Sequence, residues 1–429
     1  MFLFYFIALV ILTMLTNILF GTILKVNMLF NISWCVFGGL STLGLYGLYK
    51  PEYIIHLYVI VCIVIFNAIY FIISKLKYID KTKNKELIIN STIGKPNYLI
   101  IYLLNSICLI YSSFFIPKAW MIINNYGYGA LRTYAFKESS IYASTTELTV
   151  FQTVVFPIII ATSIILAIDI SLKRAKKILI FITIINVLVY TFLFAGRMTL
   201  IQFMSFIFIA LFILNRKSVL HLIMKNKKYI FFSGILFIIV NYLTSERTNS
   251  TSSIFEQIYF YLSAPFIFFS NLNKMGFWEN NLLYGKAIFG FILGPLDMFG
   301  VLLFNKQSNS AAYIITSITA DSQLIGDGIT FNALTTMLFP FMMDFGKLGI
   351  IIGPAIFALL IAFVEYKYKV KYSLFWISLF IYIIYYIPFT VMNYYFLHSA
   401  TGFVILFLLI FTQKITVRST KSRFIDGGK

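Results

Sequence analysis

Apolar residues along the chain fall into runs of roughly 17–25 residues, which short polar gaps separate. The first three runs are Met1–Leu24, Asn27–Tyr49 and Tyr53–Ser74. Each is long enough to cross a hydrocarbon core about 30 Å thick as an α-helix. A cleavable signal peptide is an alternative for the first run, but no basic segment precedes it and no small-residue cleavage site follows it. The pattern therefore predicts an all-α, polytopic membrane protein.

The composition agrees with this pattern. Of the 429 residues, 60% are hydrophobic and only 11% are charged, and the mean hydropathy is +0.90. A soluble domain is about half apolar and about a quarter charged. The sequence thus excludes a soluble domain, and we expect residues 1–429 to form a single integral membrane domain in the lipid bilayer.

The formal net charge of +19 is a signal of topology rather than of nucleic-acid binding. Of the 34 lysines and arginines, 24 lie in short segments beside the apolar runs, the position that marks cytoplasmic loops. We therefore predict no nucleic-acid partner. The clusters are Lys25; Lys75, Lys77, Lys81, Lys83, Lys85 and Lys95; Lys173, Arg174, Lys176 and Lys177; Arg216, Lys217, Lys225, Lys227 and Lys228; Lys367, Lys369 and Lys371; and Lys414, Arg418, Lys421, Arg423 and Lys429.

Taking these segments as cytoplasmic fixes the path of the chain by alternation. The path has 13 helices, or 11 if the two apolar stretches Ile254–Ser270 and Leu282–Phe304 form a re-entrant pair. Two large external regions are predicted, at about 117–148 and 244–347, and the second contains those two stretches. The N-terminus is then outside and the C-terminus cytoplasmic. The predicted crossings after the third run are Tyr98–Ile116, Thr149–Ile170, Ile178–Ala195, Met198–Asn215, Tyr229–Leu243, Leu348–Phe363, Ser373–Asn393 and Ala400–Gln413.

The sequence gives no sign of a metal site or a cofactor. Its three cysteines and three histidines are scattered and lack the spacing of metal ligands. No glycine-rich phosphate loop is present either. An energy source for any reaction must then come with the substrate.

The external segments carry three arginines, whereas the cytoplasmic segments carry mostly lysine. Arg132 lies in the first external region, Arg197 at the tip between two crossings, and Arg247 just after a third crossing. Each could be a simple interfacial anchor, since long basic side chains reach from helix ends to the membrane surface. Arginine, however, forms bidentate hydrogen bonds to phosphate, which favours a phosphate or pyrophosphate ligand.

Carboxylates and tyrosines accompany these arginines. Glu246 precedes Arg247, and Asp344 lies where the chain re-enters the membrane. The alternatives are a solvated turn for Glu246 and a helix cap for Asp344. Tyr259, Tyr261, Trp278 and Tyr284 could stack on sugar rings, although an interfacial aromatic belt also accounts for them.

Several short motifs resemble the bacterial O-antigen polymerases, the Wzy-type polymerases of oligosaccharide repeat units. The segment from Ile329 to Gly349 contains an Asn-x-x-Thr pattern at Asn332 and then Asp-Phe-Gly-x-x-Gly at Asp344. Ala-Gly-Arg-Met-Thr at 195–199, Leu-Arg at 131–132, the segment at 258–265 and Leu-Tyr-Gly-Lys-Ala-Ile-Phe at 283–289 follow the expected order. The resemblance covers residues 120–365, while the ends of the chain match only in hydropathy.

The resemblance implies a metal-independent glycosyltransferase of the bacterial inner membrane, with an architecture like that of GT-C enzymes. Its substrate would be an oligosaccharide on undecaprenyl pyrophosphate, polymerised at the outer face, and a chain-length regulator would be its partner. The resemblance carries substrate binding to Arg132, Arg197 and Arg247. Asn332, Tyr259 and Tyr261 are further candidates for binding the substrate. Because pyrophosphate leaves as a stable anion, one carboxylate suffices as a base, and the candidates are Asp344 and Glu246.

Two other functions remain open from the sequence. An O-antigen ligase uses the same donor, but ligases are expected to carry a histidine in a large external loop, and here the external histidine is His398 in a short turn. A flippase or transporter of lipid-linked oligosaccharides would favour paired halves and charges at helix midpoints. Here the external charges gather instead at helix ends and loops. A scaffold without activity would leave the large external regions unexplained.

Overall fold

The computed structural model describes residues 1–21, 25–77, 93–136, 144–214, 254–279, 281–304, 309–332 and 334–413. Helices make up most of this part of the chain, which confirms the all-α class. The predicted crossing Tyr229–Leu243 and the candidate residues Glu246 and Arg247 lie outside the described residues. The helices are α1 (Phe2–Phe20), α2 (Val26–Ser41), α3 (Tyr53–Lys77), α4 (Tyr98–Ser113), α5 (Ile116–Tyr126), α6 (Tyr128–Phe136), α7 (Thr145–Val150), α8 (Phe156–Ser171), α9 (Lys177–Leu193), α10 (Met198–Leu214), α11 (Ile254–Met275), α12 (Gly290–Phe304), α13 (Ala311–Ala320), α14 (Leu338–Phe345), α15 (Gly349–Lys371), α16 (Leu374–Tyr386) and α17 (Ser399–Thr412).

Six helical stretches within the described residues are long and apolar enough to cross a membrane, which confirms the membrane-spanning character. Shorter apolar helices such as α2, α9, α10 and α17 pack beside them. The six stretches are Phe2–Phe20, Tyr53–Lys75, Tyr98–Tyr126, Thr146–Ser171, Leu338–Lys371 and Leu374–Val391.

Helix ends with basic residues gather on one side of the bundle, which we call the lysine face: residues 25, 93–97, 172–176, 367–373 and 411–413. Glu365 near the end of α15 forms ion pairs with Lys369 at 2.5 Å and with Lys25 at 3.9 Å. Arg174 donates hydrogen bonds to the carbonyls of Ile93 and Gly94. Basic segments that are far apart in sequence therefore share one face, as their charge predicts.

Buried amides hold the helices together inside the bundle. Asn67 of α3 and Asn31 of α2 exchange two hydrogen bonds, of 2.7 and 3.0 Å, and Asn27 donates to Asn67 at 3.1 Å. A second group joins Asn105 of α4 to Thr162 of α8 at 2.8 Å. Where no water competes, such bonds fix helix pairing, and each contributes about 0.6 kcal/mol on average.

The opposite side, which we call the hairpin face, consists of residues 42–52, 114–115, 194–197, 276–289, 321–332, 345–348 and 388–398. Strands β1 (Gln323–Gly326) and β2 (Ile329–Phe331) form an antiparallel hairpin there. Gly326 bridges to Leu48, and Asp327 donates its backbone N–H to the carbonyl of Gly47. The sequence prediction treats 305–332 as a polar loop, whereas the structure places α13 and this hairpin within it.

Helix α11 runs along the hairpin face rather than through the bundle. Near its start, the Tyr259 hydroxyl donates to the carbonyl of Leu40; near its end, Lys274 pairs with Glu52 at 3.2 Å. These contacts are about 22 Å apart along the helix, yet both lie at ends of helices on the same face. Of the central region, α12 and α13 enter the bundle, and the chain is back on the hairpin face at β1.

Candidate functional site

Three phenylalanines bring the start of α5 and the tip between α9 and α10 to the same part of the hairpin face. The Phe151 ring lies 5.0 Å from that of Phe115, which precedes α5, and 5.1 Å from that of Phe194 at the tip between α9 and α10. Arg197 follows this tip and is half-buried, and Arg132 is exposed on α6. The sequence prediction treats 117–148 as a loop, but α5 and α6 occupy much of it because its apolar residues form a continuous helical surface.

Below Arg197 lies a polar group that the sequence analysis did not single out. Gln202 of α10 is buried, and its amide nitrogen donates to the hydroxyl of Tyr386 at 2.9 Å. The amide oxygen of Gln202 and the hydroxyl of Tyr385 are also buried, and neither makes a hydrogen bond among the described residues. Buried polar atoms of this kind are rare and point to a ligand or a functional role.

The chain between α16 and α17 is broken into two short 3₁₀ helices, Pro388–Val391 and Tyr395–Leu397. The Tyr395 ring lies 4.4 Å from that of Tyr386 at a tilt of 35°, and the Tyr394 hydroxyl donates to the carbonyl of Ile288 at 3.1 Å. The broken segment therefore links the Gln202 group to residues 282–290.

His398 ends this segment. Its Nε2 lies 3.3 Å from the Asn393 amide nitrogen, and burial lowers the pKa of the imidazole to about 4. The ring is therefore neutral at neutral pH.

Asp344 accepts hydrogen bonds from the turn before α12, at residues 283–289; we call this contact the clasp. Its carboxylate accepts backbone N–H groups from Ala287 at 2.9 Å and Ile288 at 2.7 Å. Its carbonyl accepts the N–H of Tyr284 at 3.1 Å. The side chain is fully buried, so each carboxylate oxygen is engaged inside the protein. Two segments that the resemblance names separately, 283–289 and 344–349, are thus joined directly.

The clasped turn presents two side chains outward. Tyr284 is 77% exposed and has a φ of +49°, and Gly285 has a φ of +87°. Positive φ is costly for a tyrosine, so the hydrogen bonds that Asp344 accepts from the turn must hold this conformation. Lys286 follows Gly285 and is exposed. It directly precedes Ala287, whose N–H donates to the Asp344 carboxylate. Sequence reasoning missed Lys286, although it belongs to the motif 283–289.

The other residues predicted to bind the substrate differ in their exposure. Asn332 is exposed and donates to the carbonyl of Ala320 at 3.0 Å. Tyr259 is buried, and its hydroxyl both donates to the Leu40 carbonyl and accepts the Leu45 N–H at 3.0 Å. Those contacts tie α11 to the end of α2 and leave little of the ring for a sugar. Tyr261 is half-buried beside Phe260.

The hydroxyls of Thr335 and Thr336 are also buried and make no hydrogen bond among the described residues. The next residue, Met337, donates its N–H to the carbonyl of Thr390 at 2.9 Å, which places these two threonines beside the broken segment. The sequence signal that could have identified Thr335 and Thr336 is their position as a short polar cluster inside an apolar stretch.

Within the described ranges, no group of three or more histidine, cysteine, aspartate or glutamate side chains could hold a metal ion. Comparisons of the chain with protein-family models, with curated proteins and with solved structures find no match.

Proposed function

We propose that the chain is a membrane glycosyltransferase of the O-antigen polymerase type. It transfers a growing glycan from a polyprenyl pyrophosphate carrier, undecaprenyl pyrophosphate in bacteria, to an incoming lipid-linked repeat unit. The observation that carries the proposal is the clasp between the turn 283–289 and Asp344. It joins two motifs, chosen by resemblance alone, on the face that also carries Arg197.

The cations of this face suit the proposed leaving group. Arg197 and Lys286 lie on segments of the hairpin face, where a pyrophosphate at the membrane surface could meet them, and Arg132 is exposed on α6. As the glycosidic bond breaks, negative charge grows on the pyrophosphate, and fixed cations stabilise that charge. Arg247 is the fourth proposed cation.

The structure changes the proposed role of Asp344. A base must reach the acceptor hydroxyl, but both oxygens of Asp344 accept backbone N–H groups in a fully buried position. Asp344 therefore serves in this proposal as a positioning residue for the turn that carries Lys286. Glu246 takes the role of the base.

The polar atoms beneath Arg197 complete the proposed site. The amide oxygen of Gln202 accepts a hydrogen bond, and the Tyr385 hydroxyl can both donate and accept. A glycan offers hydroxyl groups that match both. We assign these two side chains to the sugar next to the pyrophosphate, where each buried bond adds about 1 kcal/mol.

The test is transfer by the purified full chain in lipid nanodiscs with a lipid-linked repeat unit as the substrate, analysed by the length of the glycan products. Arg197→Ala should reduce transfer roughly 10-fold or more, because a charge-assisted bidentate contact contributes about 1.5–3 kcal/mol. Arg197→Lys should restore only part of it. The matched control is Lys371→Ala, which removes an exposed cation from the lysine face.

Product identity separates the alternatives. Lengthened lipid-linked glycan supports a polymerase, transfer to a lipid A core supports a ligase, and movement of the substrate without lengthening supports a flippase. Full transfer activity in a well-inserted Arg197→Ala protein would contradict the proposed cation site.

A further inference from the structure

Two turns of the hairpin face share the sequence Leu-Tyr-Gly and the same backbone form. They are residues 45–48 and 283–286, and in each turn the carbonyl of the first residue accepts the N–H of the fourth, at 3.2 and 3.1 Å. The φ angles are +54° and +76° at Tyr46 and Gly47, and +49° and +87° at Tyr284 and Gly285. Positive φ at both central residues is the pattern of a type I′ turn.

Tyrosine is an unusual residue for the first central position of such a turn. Type I′ turns strongly prefer Asn-Gly, Asp-Gly or Gly-Gly, because positive φ is costly for a bulky side chain. The second central residue is glycine in both turns, as this preference predicts. Because the same departure occurs at the first position of both turns, it indicates that the tyrosine rings have a role besides forming the turns.

The first turn is fixed by the β-hairpin and by α11. The carbonyl of Gly47 accepts the N–H of Asp327 at 2.9 Å, and the N–H of Leu45 donates to the Tyr259 hydroxyl at 3.0 Å. The Tyr46 ring meets the Tyr259 ring edge to face at 5.5 Å and stays 50% exposed. The backbone of this turn is therefore held, while half of the Tyr46 side chain faces outward.

The second turn is fixed by the end of α14. Leu283 and Tyr284 donate their N–H groups to the carbonyls of Met343 and Asp344, at 2.8 and 3.1 Å. The Tyr284 side chain is 77% exposed and makes no hydrogen bond or ring contact among the described residues. Its ring therefore adds little to the fold that would offset the cost of positive φ.

The setting of these rings favours a sugar as the ligand. The face of an aromatic ring carries partial negative charge and attracts C–H groups, which cover the faces of a sugar ring. Lys286, a proposed cation for the pyrophosphate, lies two residues after Tyr284, so the sugars next to the pyrophosphate come within reach of that ring. An interfacial anchor needs no positive φ, because an exposed tyrosine on a helix, such as Tyr53 of α3, serves equally well.

We propose that the two Leu-Tyr-Gly turns are separate sugar-binding positions, where Tyr46 and Tyr284 each stack on a sugar of the lipid-linked glycan. This role rests on the proposed function, whose substrate supplies the glycan. The Tyr284 position lies beside Lys286, and the Tyr46 position lies near the end of α2, where Tyr259 joins that helix to α11. A glycan of several sugars is thereby held at two points of the hairpin face.

The test measures the binding of a free glycan, which is independent of transfer. The probe is the repeat-unit oligosaccharide that mild acid releases from the lipid-linked pool of the cells that make the protein, added to the full-length protein in nanodiscs. Saturation-transfer NMR reports which sugar protons contact the protein. Tyr46→Asn and Tyr284→Asn should each weaken binding several-fold, whereas Tyr46→Phe and Tyr284→Phe should retain most of it. An oligosaccharide that receives no saturation from the unmodified protein would overturn the proposal.

Melting temperatures separate sugar binding from a role of the rings in the fold. Asparagine suits the first central position of a type I′ turn, so Tyr284→Asn should melt at a higher temperature than the unmodified protein. Tyr46→Asn also loses the contact with Tyr259 and should melt at an unchanged temperature. The matched control is Tyr53→Asn, which should leave glycan binding unchanged. A lower melting temperature of Tyr284→Asn, or an equal loss of binding in Tyr53→Asn, would contradict the proposed stacking.

Failure of the proposed function gives a different result. Glycan binding that depends on the two tyrosines, in a protein that does not lengthen lipid-linked units, would support the stacking and contradict the polymerase. Transfer by a protein whose glycan binding both asparagine variants leave intact would support the polymerase and contradict the stacking.

Discussion

Asp344 shows how one buried carboxylate can shape a surface without reaching it. The side chain is fully buried and accepts two backbone N–H groups, and the turn that it holds carries Tyr284 and Lys286 outward. Hydrogen bonds to a charged acceptor are the stronger ones, contributing about 1.5–3 kcal/mol each. The position of Lys286 therefore depends on a residue 58 positions away in the chain.

Asp344→Asn and Lys286→Ala should each reduce transfer by roughly 10-fold, but only Asp344→Asn should destabilise the protein, by about 1–3 kcal/mol. An amide nitrogen cannot accept the second backbone N–H, whereas Lys286 is exposed, so its truncation buries no unpaired group. Transfer rates and thermal unfolding in detergent measure the two effects.

The double variant decides between positioning and base catalysis. If Asp344 acts by placing Lys286, Asp344→Asn should add little loss of transfer to a protein that already carries Lys286→Ala. Fully additive losses, with the pH profile of transfer changed by Asp344→Asn alone, would return the role of base to Asp344.

Tyr385→Phe should lower transfer while leaving stability unchanged or slightly higher. The hydroxyl that it removes is buried and makes no hydrogen bond among the described residues, so no internal contact is lost. Tyr386→Phe is the matched control, because it removes the acceptor of the Gln202 amide and should reduce stability by about 1 kcal/mol. Unchanged transfer by Tyr385→Phe would exclude that hydroxyl from glycan binding.

At the scale of elements, glycines decide how closely helices approach. A methyl group on Gly349 of α15 would overlap the carbonyl of Phe341 in α14, and one on Gly402 of α17 would overlap the carbonyl of Phe291 in α12. Small residues let membrane helices meet at backbone distance. The pairs α14–α15 and α12–α17, which flank the clasped turn and the broken segment, depend on these approaches.

Gly402→Ala should destabilise the protein by about 1–3 kcal/mol or more, because the backbone of α12 has to move. Gly300→Ala is the matched control, since a methyl group there meets no atom within 4 Å. Thermal unfolding of the two detergent-solubilised variants checks the difference. Equal melting temperatures would mean that α12 and α17 are not packed this closely.

Much of the helical framework follows from the sequence because lipid imposes a strict length rule. The predicted run Tyr53–Ser74 corresponds to α3 (Tyr53–Lys77), and Met198–Asn215 to α10 (Met198–Leu214). Hydropathy located the apolar stretch Ile254–Ser270 of α11 but not its course along helix ends, and it gave no sign of the hairpin at 323–331. The clasp at Asp344 could not be predicted either. Its hydrogen bonds come from backbone N–H groups, so no side chain of the turn indicates them.

At the scale of the whole molecule, the two faces differ in chemistry. The lysine face carries Lys25, Arg174 and Lys369 around the buried carboxylates Glu365 and Asp169. The hairpin face carries the sheet, the broken segment and the described candidate site. Which face is cytoplasmic stays a prediction from the positive charges.

Cysteine labelling in intact cells checks that prediction. In a background without Cys35, Cys62 and Cys108, which are all buried, Lys286→Cys should react with a membrane-impermeant maleimide added outside. Lys371→Cys should react only after the inner membrane is opened. Reaction of both residues from the same side would contradict the two-sided arrangement and, with it, the proposed site.

The pairing of α3 with α15 has a consequence for the synthesis and membrane insertion of the protein. Tyr70 of α3 donates a hydrogen bond to Glu365 of α15, which is 295 positions later in the chain. During synthesis, α3 enters the membrane before α15 has been made. Until then, the side of α3 that later packs on α15 must contact lipid or another protein segment. A chain truncated before residue 349 would therefore leave α3 unpaired with α15, and we expect membrane proteases to degrade it.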